Sequence, residues 1–214
     1  CMYLEKRAWK AVFFDMDSTV IKQESIVELA RAAGKEAEVS AITEQAMGGL
    51  LDFTTALKER VRMLEGLPRE TLDELAQELT INPGMHQFSA RAKASGLKLF
   101  LVSGGFSSLA KTIAEELGFD GYLANDLGIK DGKISGEIEG TLVNAEVKSS
   151  FLLKTCQELN IAPADCLVVG DGANDLPMMQ AAGAAIGYYP KKILLPHING
   201  ANFHDHRALI SLLF

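Results

Sequence analysis

Cysteine is scarce in this sequence, and the few thiols form no recognisable framework. The 214 residues include three cysteines, Cys1, Cys156 and Cys166, an odd number without the short spacing of metal-binding pairs. Folds that depend on disulfides use paired cysteines and occur in oxidising compartments. We therefore expect reduced thiols with structural roles and no disulfide framework.

Long hydrophobic runs and excess basic charge are also missing. A membrane helix needs roughly 18 consecutive apolar residues, which the sequence does not offer, and no charged segment followed by an apolar leader opens it. The chain has 21 Lys and Arg against 28 Asp and Glu, a formal net charge of -7, whereas nucleic-acid-binding proteins usually have a basic face. These absences predict a cytoplasmic protein without nucleic-acid or membrane partners, and they leave monomer and homodimer open.

Apolar residues are plentiful, at 48% of the chain, which is enough for one good core and a small accessory domain. Short apolar runs rich in β-branched and aromatic residues are typical of buried strands in a parallel sheet. They occupy residues 11–14, 97–102, 167–169 and 184–188, with a shorter run at 122–124. Helical patterns separate most of them, so the sequence predicts an α/β fold.

The segment after the first strand does not lead directly to the next one. From residue 25 to about 79 apolar residues recur at helical spacing, with glycines between the runs. This pattern predicts a helical cap domain at residues 22–79, inserted into a core formed by residues 1–21 and 80–214. Such an insert would lie over the ligand crevice as a lid. In the core, Asp131-Gly132 between alternating residues predicts a small antiparallel flap, a hairpin at about 126–140.

Two carboxylates, Asp15 and Asp17, follow the first strand. In an open α/β sheet, ligands bind in the crevice outside the carboxyl ends of the strands, so both acids should face that crevice. Carboxylates this close repel each other unless a cation or a shared proton compensates. Taken alone, however, the segment Asp15–Thr19 fits a turn with a helix cap equally well.

Two later strands also end in polar, glycine-rich segments. Ser103-Gly104-Gly105 would offer a hydroxyl and unhindered N–H groups for an anion, although a plain turn is the alternative. Asp171 and Asp175 resemble cation ligands. They do not belong to a calcium loop, because residues 176–178 lack its later ligands.

Two cationic features are ambiguous by themselves. Lys148 lies in the first turn of a predicted helix, where a cation is disfavoured unless acids or phosphate hold it, and its position alone favours a solvated side chain. His204 and His206 flank Asp205 before the last helix. Exposed imidazoles beside a helix cap explain that pattern at least as well as a metal site does.

Together, the segments around Asp15, Ser103, Lys148 and Asp171 resemble the four motifs of the haloacid-dehalogenase-like phosphatases, in the usual order. Within that superfamily, residues 12–187 look most like the branch that acts on phosphoserine, whereas residues 189–204 follow it only loosely. The resemblance implies a Rossmann-like parallel-sheet core of the haloacid-dehalogenase type with a helical cap and a β-hairpin flap.

The resemblance also implies a Mg²⁺-dependent hydrolysis of phosphoserine, the last step of serine biosynthesis. Asp15 would be the nucleophile that becomes an aspartyl-phosphate, and Asp17 would protonate the leaving serine oxygen. Mg²⁺ would be held by Asp15, the backbone carbonyl of Asp17 and Asp171. Asp175 would orient Lys148 or the waters of the metal.

Further residues are assigned to the substrate by the same resemblance. The phosphoryl oxygens would be bound by Ser103, Gly104, Lys148 and Asn174. The amino-acid end would be bound by Glu24, Met47, Phe53 and Arg60. Among these, Arg60 suits a carboxylate because its planar fork can bind both oxygens, and Glu24 suits an ammonium.

Two alternatives stay open. A related enzyme on the same frame could act on phosphoethanolamine-like compounds or pass the phosphoryl group to homoserine, because acceptor specificity is a property of the cap. A non-catalytic module that binds phosphoproteins could keep the fold, but it would need neither the acid nor the nucleophile of the Asp15 and Asp17 pair.

Overall fold

Seven β-strands form one sheet in the computed structural model, which describes residues 8–47 and 50–214. The strands are β1 (Ala11–Phe14), β2 (Lys98–Phe106), β3 (Gly121–Lys130), β4 (Lys133–Glu139), β5 (Cys166–Gly170), β6 (Ala184–Tyr188) and β7 (Gly200–Asn202). Their order is β4-β3-β2-β1-β5-β6-β7. Every neighbouring pair is parallel except the β3–β4 hairpin. The predicted α/β fold with a parallel core is confirmed.

Strand β1 lies at the centre of the sheet because all four of its residues are apolar and fully buried. It pairs with β2 on one side and with β5 on the other. Phe13 stacks on Phe100 with ring centroids 4.9 Å apart on one face, and Phe14 contacts Phe88 on the other. The carboxyl ends of these three strands therefore meet at one edge. The Asp15 and Asp171 segments follow β1 and β5 there, and Ser103-Gly104-Gly105 lies within the last residues of β2.

Four helices lie between β1 and the rest of the core. They are α1 (Ser25–Ala32), α2 (Glu36–Met47), α3 (Phe53–Arg62) and α4 (Glu70–Glu78). We call them the helical insert. Asp52 caps α3 by accepting a hydrogen bond from the Thr55 N–H at 2.7 Å, which satisfies a donor that the first helical turn leaves free. The division of the chain into two domains at residues 22 and 79 stays a prediction.

Five more helices cover the two faces of the sheet: α5 (Met85–Ala94), α6 (Ser107–Leu117), α7 (Ala145–Leu159), α8 (Leu176–Ala181) and α9 (Arg207–Leu213). Helix α6 ends where Gly118 adopts φ 67°, a left-handed conformation that costs glycine little. Across residues 8–47 and 50–214, the helices are too short or too polar to span a bilayer.

The β3–β4 hairpin differs from its prediction in length and contacts. The short strand expected at 122–124 and the first arm of the hairpin are one continuous strand, which pairs with β2 and then with β4. The hairpin also binds the helical insert, because Gly66 N–H donates to Ile134 O at 2.9 Å and Ile134 N–H donates to Leu67 O at 2.8 Å. Strand β7 was not predicted, since its three residues, Gly-Ala-Asn, form no apolar run.

Candidate active site

A buried ion-pair network joins the ends of β1 and β5 to helix α7. Lys148 is fully buried, and its Nζ donates to Asp15 Oδ1 at 2.5 Å and to Asp175 Oδ1 at 2.9 Å. Burial alone would lower the pKa of Lys148, but the charges of Asp15 and Asp175 outweigh it and raise that pKa. The position of Lys148 in its helix favoured a solvated side chain, and that prediction is wrong. The ammonium is buried and stays charged within the site.

Asp175 fixes the loop that follows β5. Its Oδ2 accepts hydrogen bonds from the backbone N–H groups of Asp171 at 3.1 Å and Gly172 at 3.2 Å. The carboxylate fits there because residue 170 is glycine: a Cβ on Gly170 would lie 2.6 Å from Asp175 Cγ. Asp175 thus holds Lys148 with one oxygen and the Asp171 backbone with the other.

A cation could bind among three buried acids, Asp15, Asp171 and Asp175. We call them the acidic cluster. One carboxylate oxygen from each lies within 4.8 Å of the others, and the Lys148 ammonium contacts Asp15 and Asp175. Burial is the main cause that raises the pKa of Asp15, and repulsion from Asp175 adds to it. Burial likewise raises the pKa of Asp171, with added repulsion from Asp15. Asp171 Oδ1 is buried without a hydrogen-bond partner among the described residues. A divalent cation would supply both the missing charge and the missing partner.

Asp17 lies beside this cluster in an irregular turn. Its Oδ1 accepts a hydrogen bond from the Ser25 N–H at 2.6 Å, and its Oδ2 accepts one from the Ser103 hydroxyl at 3.2 Å. Ser25 is the first residue of α1, so its hydrogen bond ties Asp17 to the start of that helix. Burial raises the pKa of Asp17, although the hydrogen bonds from Ser25 partly offset it. A carboxyl with a raised pKa is suited to donate a proton.

The last residues of β2, which runs past Ser103 to Phe106, bring the core against the helical insert. Ser103 Oγ accepts a hydrogen bond from the Gly105 N–H at 2.8 Å. A Cβ on Gly104 would lie 2.7 Å from Phe53 Cζ, so the absence of a side chain lets the Phe53 ring approach the backbone. Asn125 Nδ2 donates to the Gly104 carbonyl at 2.8 Å and thereby holds this turn from β3.

Core and insert together line a small cavity of about 30 Å³. The predicted site residues among those that line it are Asp15, Asp17, Glu24, Phe53, Arg60, Gly104 and Asn174. Four others, Ser103, Lys148, Asp171 and Asp175, are buried among the same strand ends. Met47 ends helix α2, and its side chain lies outside the described part of the structure.

Two charged residues of the insert side face the cavity. Glu24 accepts a hydrogen bond from the Ser18 hydroxyl at 2.6 Å, and burial, together with the charge of Asp17, raises the pKa of Glu24 to about 7. Arg60 is only 3% exposed, and its Nη1 donates to Thr43 Oγ1 at 2.8 Å. An ordinary surface charge would be solvated, whereas Arg60 is buried and lines the cavity.

The turn that carries Asp17 is braced by residues that sequence reasoning missed. Asn82 Nδ2 donates to the Thr19 carbonyl at 2.8 Å and to the Ile21 carbonyl at 3.0 Å. His206 Nε2 lies 2.8 Å from the same Thr19 carbonyl. In the sequence Asn82 precedes Pro83 and Gly84, a combination typical of a turn, which predicts a connection and not these contacts.

The expectation of exposed imidazoles is correct for His204 and wrong for His206. His206 is fully buried and stacks on Tyr188 with ring centroids 4.3 Å apart. The apolar face of α9 packs Leu209 into the core and brings the start of that helix against β6. Burial lowers the pKa of His206 to about 4, so the imidazole is neutral near pH 7.

Residues 9–183 match the family model for haloacid dehalogenase-like hydrolases. The phosphoserine phosphatase of Polaromonas sp. is 42% identical over 189 residues, which cover 86% of this chain and 80% of that protein. Two solved structures each have a TM-score of 0.93, with 36% and 35% identity, and cover 97% of this chain and 100% of theirs. One is described as a phospho-aspartyl intermediate analogue of phosphoserine phosphatase, and the other as a substrate-bound phosphoserine phosphatase complex.

Proposed function

We propose that this chain, which belongs to the haloacid dehalogenase-like hydrolase family, hydrolyses phosphoserine to serine and inorganic phosphate. The observation that carries the proposal is the cavity itself, where Asp15 and Asp17 of the core face Glu24 and Arg60. Phosphoserine has a phosphoryl group at one end and an ammonium and a carboxylate at the other. The cavity has side chains that could bind each of these three groups.

Asp15 is the proposed nucleophile. Lys148 engages Asp15 Oδ1, which leaves Oδ2 to attack phosphorus as the bond to the serine oxygen breaks. The product of this step is an aspartyl-phosphate and free serine. Water then attacks the same phosphorus, releases phosphate and restores the Asp15 carboxylate. Two displacements replace one difficult hydrolysis.

Asp17 is the proposed general acid and base. It gives its proton to the serine oxygen in the first step and takes a proton from the attacking water in the second. Its raised pKa favours the protonated form that the first step requires. The hydrogen bonds from Ser25 and Ser103 fix the direction of the carboxyl group.

Ser103, the Gly104 N–H, Lys148 and Asn174 are the proposed ligands of the phosphoryl oxygens. Lys148 is buried with its charge intact, and such a preorganised cation stabilises charge that builds up on the phosphoryl group. Mg²⁺ is the proposed cofactor, because oxygen ligands from carboxylates suit that ion. Asp15, Asp171 and the Asp17 carbonyl would hold it, and the ion would neutralise phosphoryl charge.

The amino-acid end of the substrate is assigned to Glu24 and Arg60, with Phe53 and Met47 as the proposed apolar wall. Phosphoethanolamine has no carboxylate and would leave the remaining terminal N–H groups of the buried Arg60 without an acceptor, which is costly. A non-catalytic module that binds phosphoproteins is disfavoured because it would need neither a nucleophile nor an acid, whereas both Asp15 and Asp17 line the cavity.

The proposal is tested by phosphate release from phosphoserine, phosphoethanolamine and an aryl phosphate, with Mg²⁺ or with a chelator. We expect Mg²⁺-dependent release with the highest kcat/KM for phosphoserine. A parallel reaction with homoserine separates hydrolysis from phosphoryl transfer, because a transferase would make phosphohomoserine. Equal or better use of phosphoethanolamine would contradict the substrate assignment.

A further inference from the structure

Thr43 of helix α2 forms a hydrogen bond with the guanidinium of Arg60 on helix α3. The Thr43 side chain is buried, and its Oγ1 accepts a hydrogen bond from Arg60 Nη1 at 2.8 Å. The same hydroxyl donates its single hydrogen to the Val39 carbonyl at 2.8 Å. Because that hydrogen is committed, the oxygen presents a lone pair to Arg60 and acts there as an acceptor only.

The contacts of Arg60 determine which of its donors remain for a ligand. A guanidinium has five N–H groups. Arg60 Nε donates to the Ala56 carbonyl at 3.1 Å, and one Nη1 hydrogen goes to Thr43. In the described part of the chain the other three hydrogens, one on Nη1 and two on Nη2, have no acceptor. With Nε engaged, a carboxylate can bind only to the two terminal nitrogens.

Phe53 restricts the same group from another direction. The Arg60 Cζ atom lies 5.9 Å from the centroid of the Phe53 ring, and Phe53 packs against Gly104 of the core. A free arginine side chain has many rotamers, and immobilising it when the ligand binds lowers the affinity. Contacts on Nε, Nη1 and the ring together fix the fork before a ligand arrives.

We propose that Thr43 is a positioning residue that presents the terminal nitrogens of Arg60 to the substrate carboxylate and so sets the preference for substrates that have one. The proposal rests on the proposed hydrolysis of phosphoserine. Thr43 acts through Arg60, and a bidentate pair of this kind is sensitive to small changes in the direction of the fork. Removal of the hydroxyl also leaves an N–H of a buried cation without its acceptor.

Thr43→Val tests the proposal because valine keeps the shape of the side chain and lacks the hydroxyl. We expect kcat/KM for phosphoserine to fall about tenfold, mainly through KM, and kcat/KM for phosphoethanolamine to change less than about twofold. Thr43→Ser keeps the hydroxyl and should restore the wild-type ratio of the two substrates. Thr112→Val, the same change at an exposed position of α6 where the hydroxyl also donates to the carbonyl four residues earlier, is the matched control and should change kcat/KM for neither substrate.

A double variant distinguishes positioning from a merely structural role. In an Arg60→Ala background, Thr43→Val should have no further effect on phosphoserine, because the residue acts only through Arg60. Equal losses for both substrates in Thr43→Val, a Thr43→Ser variant as impaired as Thr43→Val, or additive losses in the double variant would each overturn the inference. A wild-type enzyme that fails on phosphoserine would instead refute the proposed function, on which the inference rests.

Discussion

The carboxyl end of the sheet and the helical insert meet at one cavity, but their polar residues are held in different ways. At the sheet end, Lys148 joins Asp15 and Asp175 in a network without solvent access. In the insert, Arg60 is held by Thr43 and the backbone of its own helix. The first arrangement suits charge stabilisation during the reaction, and the second suits selection among substrates. We expect changes in the two regions to affect different kinetic quantities.

Two direct hydrogen bonds connect the regions at the turn after β1. The Ser25 N–H of α1 donates to Asp17, and the Ser18 hydroxyl donates to Glu24. Both join the turn to the start of α1, the first helix of the insert. The proposed proton donor is therefore completed by a group of the insert, which provides a physical route from substrate enclosure to catalysis.

The largest expected effect is at the sheet end, in Asp15→Asn. The amide is a poor nucleophile and removes an anionic ligand of the proposed Mg²⁺, so we expect phosphate release from every substrate to fall at least about 10⁴-fold. Asp131→Asn, the same change in the exposed hairpin turn, is the control and should retain activity. Near wild-type turnover by Asp15→Asn would contradict the covalent mechanism. It would also mean that the sheet end does not supply the nucleophile.

Asp17→Asn should have the next largest effect. The Asn oxygen can still accept the Ser25 N–H, so the fold and the cavity should persist, which the melting temperature can check. We expect a loss of about 10²- to 10⁴-fold with phosphoserine, whose alkoxide leaving group needs a proton. An aryl phosphate should lose less because its leaving group is less basic. Equal losses for the two substrates would argue against Asp17 as the general acid.

These acids were predictable because the rule that places them uses only local sequence. An apolar strand followed at once by Asp15 or by Asp171 predicts a carboxylate at the sheet edge, and parallel pairing brings such edges together. Lys148 was misjudged by its position alone because the helix-end argument considers only the helix that carries it. Its burial follows from the pairing of β1 with β5, which sets the two acids around it.

Contacts over long sequence distances were out of reach for the same reason. His206 meets the Thr19 carbonyl across 187 positions, and Asn82 meets it across 63. Their partners are backbone carbonyls. Every residue has a backbone carbonyl, so the residue type does not show which one is bound. A buried neutral imidazole and an exposed one have the same local sequence, so only the packing of α9 on the core distinguishes them.

His206 provides a pH-dependent test of how the core supports the turn of Asp17. Its pKa is about 4 in the folded protein and about 6.5 in an unfolded chain. Between these values the unfolded state binds more protons, so the stability that the neutral imidazole supplies is present above pH 6.5 and is lost as the pH falls toward 4. The expected loss is about 3 kcal/mol at pH 4.

The measurement compares unfolding free energies of wild type and His206→Gln between pH 8 and pH 4. Raised carboxyl pKa values in the active site act in the opposite direction in both proteins, so the difference between them isolates the histidine. We expect the advantage of wild type to shrink by about 3 kcal/mol on acidification. An unchanged difference would mean that His206 does not titrate as a buried neutral group.

The smallest expected effect is in the insert and is the one that most directly tests the separation of chemistry from selection. Arg60→Ala removes the proposed carboxylate partner, and a hydrogen bond to a charged group contributes about 1.5–3 kcal/mol, so kcat/KM for phosphoserine should fall about tenfold to a hundredfold. Phosphoethanolamine, which has no carboxylate, should be hardly affected. Part of the phosphoserine loss should appear in kcat, because binding energy from the amino-acid end helps to close the insert over Asp17. Arg62→Ala changes an exposed residue two positions further along α3. This control variant should leave kcat/KM unchanged for both substrates. If Arg60→Ala lowers kcat/KM by the same factor for both, then Arg60 supports the closed insert or the phosphoryl group, and the two regions do not divide chemistry from selection.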